Sequence, residues 1–495
     1  MRFSVVIAAV VAVTLALPGA APAIAPEPIP EGPDAGSLPQ FIGAPVKPKQ
    51  VGAPTVPTHP FMAPNGRSNI HSDAYMTDTN TWLGPLGNGM ERLSTYQQAD
   101  CASIAFDRAG RIVTICMGLE GPRLAMFDPR TLELLALLPM PPRDPSSGNP
   151  FTSFSGGGYF YLDNQDRAII PTTTHHIFVV GETPGLPGFT IERDYDLTAA
   201  VPPGDQIVSA LPDWAGRIWF VSQQGVVGTV DRTLGTVRSL DLGEPIGNSF
   251  SVDETGGVFI VSDGAMYRFD ANATGGPKVT WRQTYGNIGV KKSGQTEAGS
   301  GTTPTLMGKD FVSITDNADP MNVVVYRRVS RTADNPPICT HPVFEAGAGS
   351  TDNSLIGTGT AMVVENNYGY TGPASTELGA TTVGGFERVD LDSDLRGCHT
   401  VWKSPERAPS VVPKLSLANG LVYTYTKDPQ PDDSDAWYLT AINFRTGATA
   451  YKRLAGEGLG YNNNYAPVTL GPDGTAYVGV LAGLVLLRDA VSPIR

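Results

Sequence analysis

Between Ser103 and Val480 one small unit recurs: a short β-branched or aromatic run, a tight polar turn, and a second run. SIAFDRAGRIVTIC (103–116), YFYLDNQDRAIIPT (159–172), VSALPDWAGRIWFV (208–221) and SFSVDETGGVFIV (249–261) carry turns of the Asp-x-x-Gly type. Asp suits such turns because it hydrogen-bonds the local backbone, and Gly because it tolerates positive φ. The same shape returns in TTPTLMGKDFVSIT (302–315), NSLIGTGTAMVVE (353–365), VVPKLSLANGLVYTYT (411–426) and APVTLGPDGTAYVGV (466–480). After most hairpins comes a third run, such as LAMFD, VVGTVD or YLTAIN, and then a fourth, such as VRSLDL, VTWRQTY or TAYKRL. No long helical period interrupts them. Four strands repeated at roughly 40–60 residues predict the blades of a propeller. The fold class is therefore all-β, a β-propeller of eight four-stranded blades, with seven as the alternative.

The last unit ends at LVLLRDA without a fourth strand, and ERLSTYQQ (91–98) is the run placed to supply it. The ring is thus predicted to be closed by an N-terminal strand. Pro304, Pro413 and Pro467 fall at one phase of three first strands. Proline cannot donate to a ladder, so it belongs on an edge, and the innermost strand of a blade is an edge facing the channel. The four cysteines fit the same map. Asp107 and Gly110 flank the first turn, so residues whose numbers sum to 217, Cys101 and Cys116, face each other. Cys339 and Cys398 each approach a fourth strand in neighbouring blades, where a bridge would staple the rim.

APVTLGPDGTAYVGVLAGLVLLRD and VPKLSLANGLVYTYT…WYLTAINFRTG resemble the repeats of quinoprotein-dehydrogenase-like eight-bladed propellers, over about half the blades. The resemblance implies the fold and, for an oxidoreductase, a quinone of the PQQ type. Dehydrogenases of that kind often carry a vicinal cysteine pair over the quinone, and this chain has no adjacent cysteines.

The chain opens MRFSVVIAAVVAVTLALPGAAPAIA, with Arg2 as a basic n-region, an apolar stretch to Leu17 and a small-x-small site at Ala21–Ala23. That pattern is a secretory signal peptide over 1–23, too short for a span. Residues 24–68 are rich in Pro, Gly and Ala and read as a flexible lead, and 69–495 as the propeller. HSDAYMTDTNTW (71–82) precedes the ring as a plug, a strap or an ordered lead-in. No later run is apolar enough to cross a bilayer, and a net charge of −13 argues against nucleic acid as a partner. An even cysteine count in an exported chain predicts two disulfides and a secreted or cell-envelope location.

Blade topology sorts the loops by face. Loops between second and third strands share the channel mouth with the loops between blades. TDNADP brings Asp316, Asn317 and Asp319, and VENNYGYTGP brings Glu365, Asn366, Asn367 and Tyr368. The blade-to-blade loops add Lys291, Glu297, Asp352, Asn353, Asn463 and Asn464, and Lys414 is a nearby cation. All of these except Asp319 and Lys291 are the candidate ligand-binding residues. Carboxylate and amide oxygens are hard ligands that suit Ca²⁺, for which Asp316, Asp352 and Glu365 are the candidate set. Asp and Asn also initiate turns, and only their clustering on one face favours a site. None of the six His shows metal spacing, and no GxSxG, SxxK or phosphate loop occurs. The leading expectation is an exported propeller binding a small molecule or glycan at the mouth, with Ca²⁺ as a cofactor. The alternatives are a Ca²⁺-dependent hydrolase or lactonase, a PQQ-type oxidoreductase, or a cell-envelope interaction scaffold.

Overall fold

The turns do what their composition requires. The Asp107 backbone carbonyl accepts from the Gly110 amide at 3.0 Å, and its carboxylate accepts from the Arg111 amide at 2.8 Å. Asp163, Asp213 and Asp253 cap their turns in the same way. In the second hairpin Asp166 stands where the others have Gly, at φ 61°, one of the few residue types that tolerate this region.

The computed structural model describes residues 26–143, 155–329 and 331–490. The leader over 1–23 lies outside them. Eight sheets follow one another, each running from an inner to an outer strand. Blade 1 is Ala99–Phe106, Ile112–Gly118, Gly121–Phe127 and Leu134–Pro139. Blades 2 to 7 occupy 161–196, 207–241, 251–283, 305–342, 356–404 and 414–457. Blade 8 supplies Val468–Leu470, Ala476–Val480 and Gly483–Arg488, and its outer strand is Glu91–Tyr96. That strand runs antiparallel to Gly483–Arg488, from Glu91 opposite Arg488 to Tyr96 opposite Gly483. The ring therefore closes as the sequence predicts, with eight blades. Among the described residues only two short 3₁₀ turns interrupt the strands, and no helix is long and apolar enough to cross a membrane. The core lies between blades, where Trp219, Trp281 and Trp437 are fully buried.

Pro304, Pro413 and Pro467 each stand one residue before an innermost strand, as a missing donor on the channel edge requires. Both disulfides form, Cys101–Cys116 and Cys339–Cys398, a pattern compatible with an oxidising, extracytoplasmic compartment. The register behind the first differs from the simple count. The hairpin pairs residues that sum to 218, from Phe106 opposite Ile112 to Ser103 opposite Ile115. A bulge between Cys101 and Ser103 then shifts the pairing so that Cys101 faces Cys116.

The proline-rich lead differs from its expectation as a flexible segment. Phe41–Gly43 pairs with the outer strand of blade 7, and the Val46 and Val51 amides donate to Leu86 and Leu417 carbonyls. Ile29, Leu38 and Val51 are buried against the ring. Apolar side chains at wide intervals, with backbone pairing between them, are enough to hold a segment with no periodic pattern of its own.

Candidate functional site: a plugged channel mouth

The inner strand of a propeller leaves amides facing the channel, and buried amides need partners. Residues 63–82 supply them. The Val252, Leu306, Gly357 and Leu415 amides, from the inner edges of blades 4 to 7, donate to the carbonyls of Ala74, Tyr75, Thr77 and Asp78. Toward blades 1 and 2 the Phe106 and Leu162 amides donate to Arg67 and Ser68. The segment winds inside the ring as a plug, the first of the three readings of HSDAYMTDTNTW. Its tight course places Ser72, Met76 and Asp78 at φ 77°, 56° and 54°, in the left-handed region.

This winding buries several ionisable groups at the centre. His71 is 2% exposed, and its Nδ1 lies 3.0 and 3.1 Å from the two Asp78 carboxylate oxygens. The carboxylate only accepts, so the imidazole donates to it from Nδ1. Asp78 also pairs with Lys414, which donates in addition to the Ile70 carbonyl. Both charged side chains are shut away from solvent, and burial holds the Lys414 ammonium below its usual range against the pull of Asp78. Tyr159 stacks on His71 with ring centroids 6.2 Å apart.

On the His71 side the plug leaves a cavity of about 690 Å³, open on the face that carries the second–third and blade-to-blade loops. Its walls come from the plug, from blades 1 and 8, and from the approaches to blades 2, 6 and 7. Ile70, Met117, Leu119, Val412 and Leu459 give it an apolar side. Asp100, Asp352, Asn353 and Asn464 give it a polar one, with His71 and Tyr159 between. Asp352 is 6% exposed. Its Oδ2 accepts from Thr296 Oγ1 at 2.7 Å, while its Oδ1 has no hydrogen-bond partner. Burial pushes this carboxyl up to about 7, against the Thr296 hydrogen bonds. Asp100 is 8% exposed, its Oδ1 also lacks a partner, and burial raises it well above the carboxylate range despite Arg143 nearby. Behind the wall Glu365 accepts from Asn353 Nδ2 at 2.6 Å and Asn367 Nδ2 at 2.8 Å. Its other oxygen is unpartnered, and burial raises it to about 8, helped by the like charge of Asp78.

Of the residues proposed from sequence, Asp352, Asn353 and Asn464 line the cavity, and Glu365, Asn367 and Lys414 stand one hydrogen bond or one ion pair behind it. The others lie apart from it. Asn317 bridges Asn287, Val290 and Ala298, and Asn366 ties Ala348 to Gly384. Glu297 accepts from Gln223 Nε2, Asn463 donates to the Ala466 carbonyl, and Tyr368 is held through its backbone to Val383. Asp316 accepts from the Ala318 and Asn322 amides and from Asn322 Nδ2, so both oxygens serve its own loop. Among the described residues no group of three or more His, Cys, Asp or Glu is arranged to hold a metal ion. The single guanidinium of Arg143 among Asp100, Asp352 and Glu120 is a poor match for a quinone that carries several carboxylates. Sequence reasoning missed His71, Asp78, Asp100 and Tyr159. The dense polar run in HSDAYMTDTNTW was the only signal for the first two.

No family model matches the chain. A protein of Archaeoglobus fulgidus, described only as uncharacterized, is 27% identical over 369 residues, 68% of this chain and 70% of that one. Among solved structures, the computationally designed Ika8 protein aligns over 79% of this chain and 97% of its own, with 11% identity and a TM-score of 0.49. BamB from Moraxella catarrhalis aligns over 86% and 96%, with 13% identity and a TM-score of 0.44. Streptogramin B lyase aligns over 81% and 97%, with 10% identity and a TM-score of 0.39.

Proposed function

We propose that this chain is an exported propeller that binds a small molecule or a glycan in the mouth cavity. The observation that carries the reading is Asp352, a buried carboxyl with one unpartnered oxygen on the wall of a cavity of about 690 Å³. A buried polar atom without a partner costs free energy, and a ligand hydrogen bond recovers it. The volume suits a small ligand, and an apolar wall facing a few convergent polar groups is the usual make-up of such sites. A cation is the other way to offset these carboxyls, and Ca²⁺ held by Asp352 and Glu365 belongs to the proposal in that role.

The test is a thermal-shift series with mono- and disaccharides and small polar molecules. A ligand bound only by the folded state raises the melting temperature with concentration. The expected result is such a rise in the wild type and its loss in Asp352→Asn. No shift from any compound, or an equal shift in the variant, overturns the reading. Chelator lowers the melting temperature and Ca²⁺ restores it if the cation is part of the site; no response to either removes the cation and leaves the ligand.

One observation favours a hydrolase as the second reading. An imidazole oriented by a carboxylate, on a residue that lines a cavity, is the arrangement expected of a general base. Hydrolysis of ester or lactone probes in the same samples, lost in His71→Gln, would decide for it.

A further inference from the structure

Resting on the mouth cavity as the ligand site, we infer that its ligand is an uncharged amphiphile whose apolar body lies on a strip running along one side of the mouth to its rim. The strip can be traced through the backbone. Leu459 and Gly460 lie between blades 7 and 8, and the Gly460 carbonyl accepts from the Ala482 amide at 3.1 Å. The Ala482 carbonyl in turn accepts from the Gln97 amide at 2.7 Å, two residues before Ala99. Ala99 stands opposite Gly118 in blade 1, and Gly118 opposite Gly121. A Cβ at Gly121 would lie 3.2 Å from Pro142, so the strip reaches the approach to blade 2. All of these residues except Gln97 line the cavity. The large side chains along the strip are Met117, Leu119, Leu459 and Leu481. Leu119 is 100% exposed and Leu459 is 45% exposed. Exposed leucines scattered singly are ordinary. Here two stand at the entrance of one cavity and continue its apolar wall outward. An apolar body laid on that wall removes it from water, which is favourable in proportion to the area covered. A ligand made of hydroxyls leaves Leu119 and Leu459 as they are in the free protein.

The charges of the lining select the polar end. Asp100, Glu120 and Asp352 stand there against one guanidinium, that of Arg143. Arg143 lies beside Asp100 and donates to the Ser155 carbonyl at 3.1 Å, so it is already engaged. A carboxylate or phosphate head would meet like charge. A hydroxyl both donates and accepts, and the lining carries side-chain donors on Tyr96, Gln98 and Ser354 beside its carboxyl acceptors.

The experiment is calorimetric titration of the full chain at about pH 8 with 1-butanol, 1-hexanol, 1-octanol and octanoate. The alkanols should bind saturably, one per chain, with affinity rising roughly two- to fourfold for each added methylene. Octanoate should bind roughly tenfold more weakly than 1-octanol. Leu119→Asp, a change at a wholly exposed side chain, should keep the wild-type melting temperature and weaken 1-octanol roughly fivefold or more, with a smaller effect on 1-butanol. Affinity that is flat with chain length, uptake that does not saturate, octanoate as tight as 1-octanol, or 1-octanol indifferent to Leu119→Asp each overturns the inference. If the alkanols fail but a saccharide or small polar molecule shifts the melting temperature of the wild type and not of Asp352→Asn, the inference alone fails and the cavity remains a ligand site. If nothing binds, both readings fail.

Discussion

Two neighbouring loops, 315–320 in blade 5 and 364–368 in blade 6, have the same texture in sequence and opposite roles in the structure. In the first, Asp316 gives both oxygens to the amides and side chain of its own loop, and Asn317 and Asp319 tie that loop to the next segments. In the second, Asn366 performs the tying, and Glu365 at the end of strand Ala361–Glu365 is aimed at the centre with one oxygen unpartnered. A self-satisfied carboxylate stabilises its turn; one aimed inward needs a cation, a proton or a ligand. Asp78 has the cation, in Lys414, while burial raises Glu365 and Asp352 toward their protonated forms.

The contrast can be broken most forcefully at Lys414. Lys414→Met leaves Asp78 buried without its counter-charge and should cost about 3–5 kcal/mol in urea unfolding. A loss of well under 1 kcal/mol would mean that the central carboxylates do not depend on compensation.

The next effect is at Glu365. Its folded value of about 8 lies above its usual 4.5, so the folded state holds a proton that the unfolded chain releases. Stability from this group is therefore greatest below pH 4.5 and is lost as pH rises to about 8. Glu365→Gln cannot lose that proton. It should be more stable than wild type by roughly 1–3 kcal/mol near pH 7, with the gap closing on acidification. Parallel pH–stability curves for the two proteins would contradict the assignment.

The smallest effect is at Asp316. Asp316→Ala removes the acceptor of two backbone amides and should cost about 1–2 kcal/mol, with ligand affinity unchanged. Weakened binding in this variant would erase the distinction between the two loops.

The difference between Asp316 and Glu365 is not written locally. TDNADP and VENNYG are both short polar connections after an apolar strand, and each places a carboxylate beside amides. Asp352, Asn353 and Asn464 reach the cavity lining because blade topology assigns their loops to one face. The reading of Glu297, Asn317 and Asn463 as site residues was less specific, because face assignment says nothing about depth or direction. The disulfide shows a similar limit. Counting from the turn pairs Cys101 with Cys116, yet the hairpin itself is offset by one residue, and only the bulge restores that pair. The bulge packs against Gly479 of the last blade, where a Cβ would meet the Cys101 carbonyl oxygen at 2.4 Å, a contact no local count of residues contains.

By itself the sequence determined the repeat, the turns, the closing strand and the prolines on the channel edge. Each follows from short-range rules of backbone geometry and hydrogen bonding, which a chain carries in its local order. The tertiary structure decided where residues 63–82 go and which carboxyls they bury. The plug has no period, and its path is set by the unpaired amides of inner strands that are distant in sequence. Only when those strands are assembled into a ring does His71 meet Asp78, Asp78 meet Lys414, and Asp352 come to face a cavity.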